Sequence, residues 1–564
     1  MNKIIGLIDR NIMLVIVITL LNSTTSICLI GNNGSYSNMM KFLAQEMVVF
    51  VWSIVFICMF KMLKNYSIRL AKLIEIFMIS VMVILFIIDF FLILKYNSIL
   101  DQAKIEIILG TNPITIKEFL QQYVLSWKMI VVSAAAIISF FVCMKLKPVI
   151  SSFIRFKVTT KPMAYVMLVG AAFGLLSICF TFFRYGVAGV FDKVVYRSMT
   201  FNRVIVDTCA AINDLGNEDD INASFNNSDE KVISNDSNVP YVIFVLGESA
   251  DRNKMSAYGY HNKTTPVLDD LISRGEVVLF DDTIAPANYT QRAMELIFTF
   301  AAKEDKNHWY ENQNIIDIAK ACEYRTIWLS NQSPVGKYGN MDRILANRSD
   351  YARFTNIEGG ATSSLVRPLD ETLLPLLDEA MVEDTEKNFY VLHIEGSHEV
   401  FNIRYPKNFE KFSAQDEDTE NETWNVARAE YDNTILYTDF ILQEIIKRFS
   451  DKNAVLIYIS DHGNEVYDGR NFVGHSSEED RNRHMVEVPM FVWGSQKYWT
   501  THPQIKAAIR NGKDKPFMTD DMIFFLEDIM QIKSSSYKPE RSVINSLYVP
   551  KKRIYGGTEY IRND

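Results

Sequence analysis

Long apolar stretches crowd the first third of the chain and then stop. Five runs stand out: Ile12–Ile30, Met47–Phe60, Phe77–Leu94, Met129–Met144 and Met163–Phe183. A membrane-spanning helix needs about 20 predominantly apolar residues, with a range of roughly 17–25. The first, third and fifth runs suffice; the second and fourth need their flanks, Leu63 and 125–127. Five spans are expected, and the first reads as a span rather than a cleaved signal because four more follow it. From Tyr241 onward the pattern changes. Short β-branched apolar runs (Tyr241–Leu246, Val277–Phe280, Thr326–Leu329, Phe389–Ile394, Ala454–Ile459 and Met490–Trp493) alternate with amphipathic stretches such as Ile315–Cys322 and Tyr431–Arg448. Unbroken apolar runs of this length suit strands buried on both faces. Their alternation with helices predicts a doubly wound α/β domain with a mainly parallel sheet.

Three regions follow: a transmembrane domain over 1–184, interfacial helices and a polar linker over 185–239, and a catalytic domain over 240–564. The stretch 213–239 is dense in Asn, Asp, Ser and Glu and reads as solvated. Basic residues orient the membrane part. Lys61, Lys64, Arg69 and Lys72 lie between runs two and three, and Lys145, Lys147, Arg155, Lys157 and Lys161 between runs four and five. By the positive-inside rule both loops are cytoplasmic, which places everything after Phe183 outside. Asp89, near the outer end of run three, reads as an interfacial acid, with a functional intramembrane acid as the other option. The outer loop 96–126 is either an amphipathic segment lying on the membrane or a plain connection.

Composition narrows the function classes. The 564 residues exceed one ordinary domain. A net charge of −9 argues against a nucleic-acid partner. Of six cysteines only Cys322 falls in the soluble part, so no disulfide forms within it and no CxxC pair exists.

Candidate chemistry sits at strand ends, where open α/β sheets bind ligands. Glu248 follows Tyr241–Leu246, and Asp461 and His462 follow Ala454–Ile459. Oxygen and imidazole ligands of this kind suit a divalent metal such as zinc. A hydroxyl on the metal would be activated as a nucleophile. Thr290, in Ala-Pro-Ala-Asn-Tyr-Thr, stands at a loop-to-helix junction that favours anions, although spacing alone favours a simple N-cap. Four of the eight histidines, His398, His462, His475 and His484, fall on loops after expected strands. Each singly is more often structural than catalytic.

Together the blocks resemble the bacterial phosphoethanolamine transferases, membrane members of the alkaline phosphatase and sulfatase superfamily. Gly247-Glu248-Ser249, Arg252, 255–260 (Met-Ser-Ala-Tyr-Gly-Tyr) and Thr264-Thr265-Pro266 resemble the opening motif. The segment around Thr290, then 392–398, 431–434 with Thr438-Asp439, and Ser460-Asp461-His462-Gly463 resemble later blocks. The resemblance implies zinc held by Glu248, Thr290, Asp461 and His462. It implies Thr290 as the nucleophile that takes phosphoethanolamine from phosphatidylethanolamine, releasing diacylglycerol. His398 and His475 would contact the phosphoryl oxygens, with His484 competing for the second role, and Lys337 would contact substrate. The acceptor would be lipid A, lipopolysaccharide core or another surface glycan. The implied setting is a multi-pass, monomeric protein of the bacterial inner membrane with its catalytic domain in the periplasm. The chain departs from the pattern in lacking disulfides and in having Asn464 before Glu465. Two other readings stand beside this one: a phosphoglycerol transferase of the lipoteichoic-acid-synthase type, and a non-catalytic membrane sensor that keeps the fold. A sulfatase proper is disfavoured, because the nucleophile segment offers threonine and no nearby cysteine.

Overall fold

In the computed structural model, residues 62–96 and 200–562 are described, apart from 216–217, 306, 333–340, 356–367 and 476–481, together with Val49, Leu100, Ile105 and Ile108. The described residues up to 213, Ile108 excepted, belong to one compact unit, and those from Asp214 onward to another.

In the first unit the third apolar run forms the helix Ile68–Tyr96. Among the described residues it alone is long and apolar enough to cross a membrane, over Ile68–Leu92. It starts before the expected Phe77 because Arg69 and Lys72 extend the helix at its basic end, where long side chains reach water. Leu73, Ile76, Phe77 and Ile84 are exposed along it. The other four runs, Val49 apart, and nearly all of the loop 96–126 lie outside the described residues.

Asp89 lies near the C-terminal end of this helix. It is fully buried and pairs with Arg203 Nη2 at 2.6 Å, while its other oxygen accepts from the Leu100 N–H at 2.9 Å. Arg203 comes from the helix Thr200–Leu215 and also donates to the Leu100 carbonyl. The partner is 114 residues away, beyond the reach of local pattern.

The second unit opens with the helix Glu218–Asn226, which buries Ile221 and Phe225. The strand β1 (Val232–Asn235) follows. The polar stretch 213–239 is thus not wholly solvated. Two apolar residues four apart place one helical face in the core.

The main strands are β2 (Tyr241–Gly247), β3 (Val277–Leu279), β5 (Arg325–Ser330), β6 (Tyr351–Phe354), β7 (Asn388–His393), β8 (Ala454–Ser460) and β11 (Met490–Gly494); β4 (Thr283–Ile284), β9 (Glu465–Val466), β10 (Val473–Gly474), β12 (Phe517–Met518) and β13 (Ile532–Ser534) form short pairs. The seven-stranded sheet has the order β3-β11-β8-β2-β7-β5-β6. β8, β2, β7, β5 and β6 run parallel, whereas β11 is antiparallel to both β8 and β3. The sheet is therefore mixed. Among the described residues of the 461–489 connection no α-helix intervenes between β8 and β11, which suits an antiparallel pair.

Both sheet faces are covered. Val242, Phe244 and Leu246 pack into one core and Ile243 and Val245 into the other, all fully buried. Each such side chain contributes roughly 1.5–3 kcal/mol by leaving water. The 28-residue helix Glu422–Phe449 packs on the second face, opened by an Asn421 cap that accepts from Thr423 and Trp424 N–H. It begins earlier than the expected Tyr431, because residues 422–430 are mostly polar and carry little apolar periodicity.

Candidate metal centre

Neighbouring parallel strands deliver the ligands. β2 ends at Gly247 and β8 at Ser460, in direct register. Glu248 and Asp461 are the next residues on each, and Asp461 N–H donates to the Gly247 carbonyl. Ser249 adopts a left-handed backbone (φ 61°), and its N–H donates to Asp461 Oδ1 at 3.0 Å. That conformation is costly for serine and persists because this contact and the Tyr431 hydroxyl on the Ser249 carbonyl fix the turn.

Glu248, Asp461 and His462 are buried and offer ligand atoms all within 4.8 Å of one another. His462 Nε2 lies 3.2 Å from Glu248 Oε1 and 3.4 Å from Asp461 Oδ2. His462 Nδ1–H donates to the Gly463 carbonyl at 2.8 Å, which leaves Nε2 as the metal-facing nitrogen. Asp461 Oδ2 is buried and accepts no hydrogen bond. A divalent cation fits this set: two carboxylates and one oriented imidazole converge on a point where a buried oxygen is otherwise unsatisfied.

Thr290 completes the convergence. It is the first residue of the helix Thr290–Ile297, and Tyr289, not Thr290, occupies the cap position. The N-cap reading is corrected. The Thr290 hydroxyl donates to Glu248 Oε2 at 2.9 Å and lies 3.4 Å from His462 Nε2. It is turned toward the carboxylate instead of the helix backbone.

The electrostatics are those of a tight, buried charge cluster. Burial alone would raise Glu248, but the His462 hydrogen bond and charge, followed by His398 and the Ser249 hydroxyl, hold it well below the usual carboxylate range. Burial and the Glu248 charge push Asp461 up to about 7. Burial opposes the imidazolium at His462, yet Asp461 and Glu248 raise it to about 9. Behind them His393, at the end of β7, pairs with Asp342 at 3.2 Å. Burial works against that imidazolium too, and Asp342 raises it to about 9.

The remaining expected residues divide. His398 follows β7, and its Nδ1–H donates to the Glu399 carbonyl at 2.6 Å. Arg404, paired with Glu395, donates to the His398 carbonyl. Gly396, two residues earlier, has φ 52°, and a Cβ there would stand 2.8 Å from the Glu248 carbonyl. Only glycine allows this loop to approach the ligand strand. His475, just after β10, places its ring 4.4 Å from that of His462. His484 goes elsewhere: its Nδ1 bonds Asp251 Oδ2 at 2.6 Å, within a cluster of Asp251, Asp468 and His484 to which Lys254 is also paired at 2.7 Å. Its own carbonyl packs against Gly463. Lys337 lies outside the described residues.

Several motif residues act as fasteners. Asp439 accepts from Val267 and Leu268 N–H at the start of the helix Pro266–Ser273, and Asp432 accepts from Asn262. Glu465 is buried and paired with Arg470. Cys322 is a buried free thiol, pushed up to about 11 by that burial. Asp342, which also accepts from Trp328 and Ser330, escaped the sequence reading because only the fold sets it behind a strand end.

Residues 240–527 match the family model described as Sulfatase. The phosphoethanolamine transferase EptC of Escherichia coli O18:K1:H7 is 28% identical over 332 residues, covering 56% of this chain and 55% of that protein. The chain thus spans about half the length of the curated relatives it matches. The periplasmic domain of Escherichia coli EptC, solved with zinc, superposes with a TM-score of 0.51 at 27% identity, covering 58% of this chain and 91% of that one. The integral membrane lipooligosaccharide phosphoethanolamine transferase A of Neisseria meningitidis shares the fold, with a TM-score of 0.63 at 17% identity over 97% of this chain and 99% of that one.

Proposed function

The chain belongs to the sulfatase family, and from that premise we propose that it transfers phosphoethanolamine from phosphatidylethanolamine to a cell-surface acceptor through Thr290. The observation that carries the reading is the Thr290 hydroxyl, 2.9 Å from Glu248 Oε2 and 3.4 Å from His462 Nε2. A nucleophile placed inside a metal-ligand set is what phosphoryl transfer by covalent catalysis requires. The relatives named phosphoethanolamine transferases supply the group transferred.

Glu248, Thr290, Asp461 and His462 would hold the zinc. When bound, it supplies positive charge that favours the threonine alkoxide and the phosphoryl oxygens. Thr290 Oγ1 attacks phosphorus, the bond to the diacylglycerol oxygen breaks, and that oxygen takes a proton. His398 and His475 flank the set and are assigned to the phosphoryl oxygens and to this proton. An acceptor hydroxyl or phosphate of lipid A, lipopolysaccharide core or another surface glycan then attacks the phosphorus of the threonine–phosphoethanolamine diester, takes the phosphoethanolamine, and leaves Thr290 as its hydroxyl, the acceptor's proton replacing the one lost. A multi-pass inner-membrane protein with a periplasmic catalytic domain fits a lipid donor.

Intact mass of the zinc-loaded full chain after incubation with phosphatidylethanolamine tests this. A phosphoethanolamine adduct on wild type and not on Thr290→Ala, with diacylglycerol released, is expected. No adduct and no diacylglycerol would sink the donor assignment, and an adduct from phosphatidylglycerol instead would make the protein a phosphoglycerol transferase.

A further inference from the structure

Next to His398 in the chain stands a carboxylate that no step above uses. Glu399 follows His398, and its Oε1 lies against Gly474, in the space a Cβ at that position would fill. Gly474 has φ 111° and directly precedes His475. Glu399 is therefore the chain neighbour of one histidine assigned to the phosphoryl oxygens, and its carboxylate lies against the residue that precedes the other. The short β9–β10 hairpin that carries Gly474 turns through Tyr467. The Tyr467 ring stacks on Trp424, with centroids 5.0 Å apart and planes 6° from parallel. Across the turn Tyr467 N–H donates to the Phe472 carbonyl, two residues before Gly474, and burial first, then the negative charge of Glu399, raise the Tyr467 phenol. Glu399, Trp424 and Tyr467 all keep partial exposure, unlike the buried Glu248, Asp461 and His462.

A carboxylate beside aromatic rings is the side-chain set that recognises an alkylammonium. The carboxylate accepts charge-assisted N–H bonds, and the rings attract the cation through their faces. The phosphoethanolamine group carries its ammonium two carbons from the ester oxygen, so a phosphoryl group near His398 and His475 brings that ammonium to the Glu399 carboxylate. Resting on the transfer reading above, we propose that Glu399, backed by the Trp424–Tyr467 stack, is the subsite that reads the ammonium and selects an aminoalkyl phosphoester over one with a neutral headgroup. Glu399 is thus a specificity-determining residue that takes no part in bond making. Gly474 is a glycine because a side chain would evict the carboxylate.

Calorimetric titration of the zinc-loaded full chain with O-phosphoethanolamine and with glycerol phosphate tests the subsite. Wild type should bind phosphoethanolamine about tenfold more tightly. The ratio should fall toward one in Glu399→Gln and narrow in Trp424→Leu. Because the ratio is taken within each variant, loss of folded protein does not mimic the effect. Equal affinities in wild type, or a preference that survives Glu399→Gln, would overturn the subsite. Diacylglycerol release from phosphatidylethanolamine by the same wild-type sample separates the two claims. Release without headgroup preference removes the subsite and leaves the donor assignment. Preference without release removes the donor assignment and keeps an ammonium-reading site.

Discussion

Thr290 and Glu248 meet across 42 residues of sequence through a 2.9 Å hydrogen bond from the threonine hydroxyl to Oε2. On the proposed mechanism Thr290→Ala removes the oxygen that would carry the transferred group, so turnover should fall a thousandfold or more, roughly the loss seen for covalent nucleophiles. Thr290→Ser keeps the hydroxyl but frees its rotamer and should retain measurable activity. Donor turnover with vesicles containing phosphatidylethanolamine gives both values; equal rates for Thr290→Ala and wild type would remove the nucleophile.

Zinc should bind with proton release. In the metal-free protein His462 is raised to about 9, by Asp461 and Glu248 against burial, so at neutral pH the imidazole carries a proton that ligation must expel. Affinity should therefore drop as pH falls from about 9, by up to about tenfold per pH unit. Competition with a chelator across pH 6–9 measures it, and a flat profile would show that the imidazole is neutral before the metal arrives. Asp461→Asn should weaken binding and reduce the slope.

The His393–Asp342 pair should make metal-free protein less stable in alkali. The His393 pKa is raised in the folded state from its ordinary 6.5 to about 9. Its contribution is complete below about pH 6.5 and disappears as pH rises through 9, roughly 3 kcal/mol at most. Thermal unfolding in chelator should show a declining midpoint over this window, and His393→Gln should flatten the decline. An unchanged slope in that variant would assign the pH dependence to other groups.

Gly396→Ala should damage the metal set without touching a ligand. The left-handed backbone and the clash with the Glu248 carbonyl together should cost about 1–3 kcal/mol. A drop in zinc content larger than the change in melting point would show that Glu248 has been displaced.

In the first unit, Asp89→Leu should destabilise more than the double variant Asp89→Leu/Arg203→Leu. Removing one partner leaves a buried guanidinium uncompensated, a penalty of about 3–5 kcal/mol. Unfolding in detergent reports it; equal or greater loss in the double variant would mean that the pair itself is net stabilising.

Strand ends were the readable part of this chain. Unbroken runs such as Tyr241–Leu246 and Ala454–Ile459 mark strands covered on both faces, and Glu248, Asp461 and His462 stand just beyond them. Reading stopped where partners are distant. Arg203 neutralises Asp89, Asp342 charges His393, and Asp251 engages His484, and each pairing depends on the tertiary fold. Local pattern also misled at Thr290, where a residue of good capping type uses its hydroxyl on a carboxylate. β6 went unseen because Tyr351–Phe354 is short and half-polar, and the β11 reversal because direction is a property of connection, not of composition.

The placement of β2 between β7 and β8 bears on how such a protein diversifies. Glu248, Asp461 and His462 hang from adjoining central strands, so the reaction chemistry is inherited with the sheet itself. The segments bearing Glu399, Tyr467 and His475 are loops and a small hairpin attached to that frame. On the proposed reading, change in those loops would retune which donor and acceptor enter while the strands keep the metal ligands in place. A lineage built this way changes its clientele by editing loops, and the sheet supplies the same reaction to each new pairing of donor and acceptor.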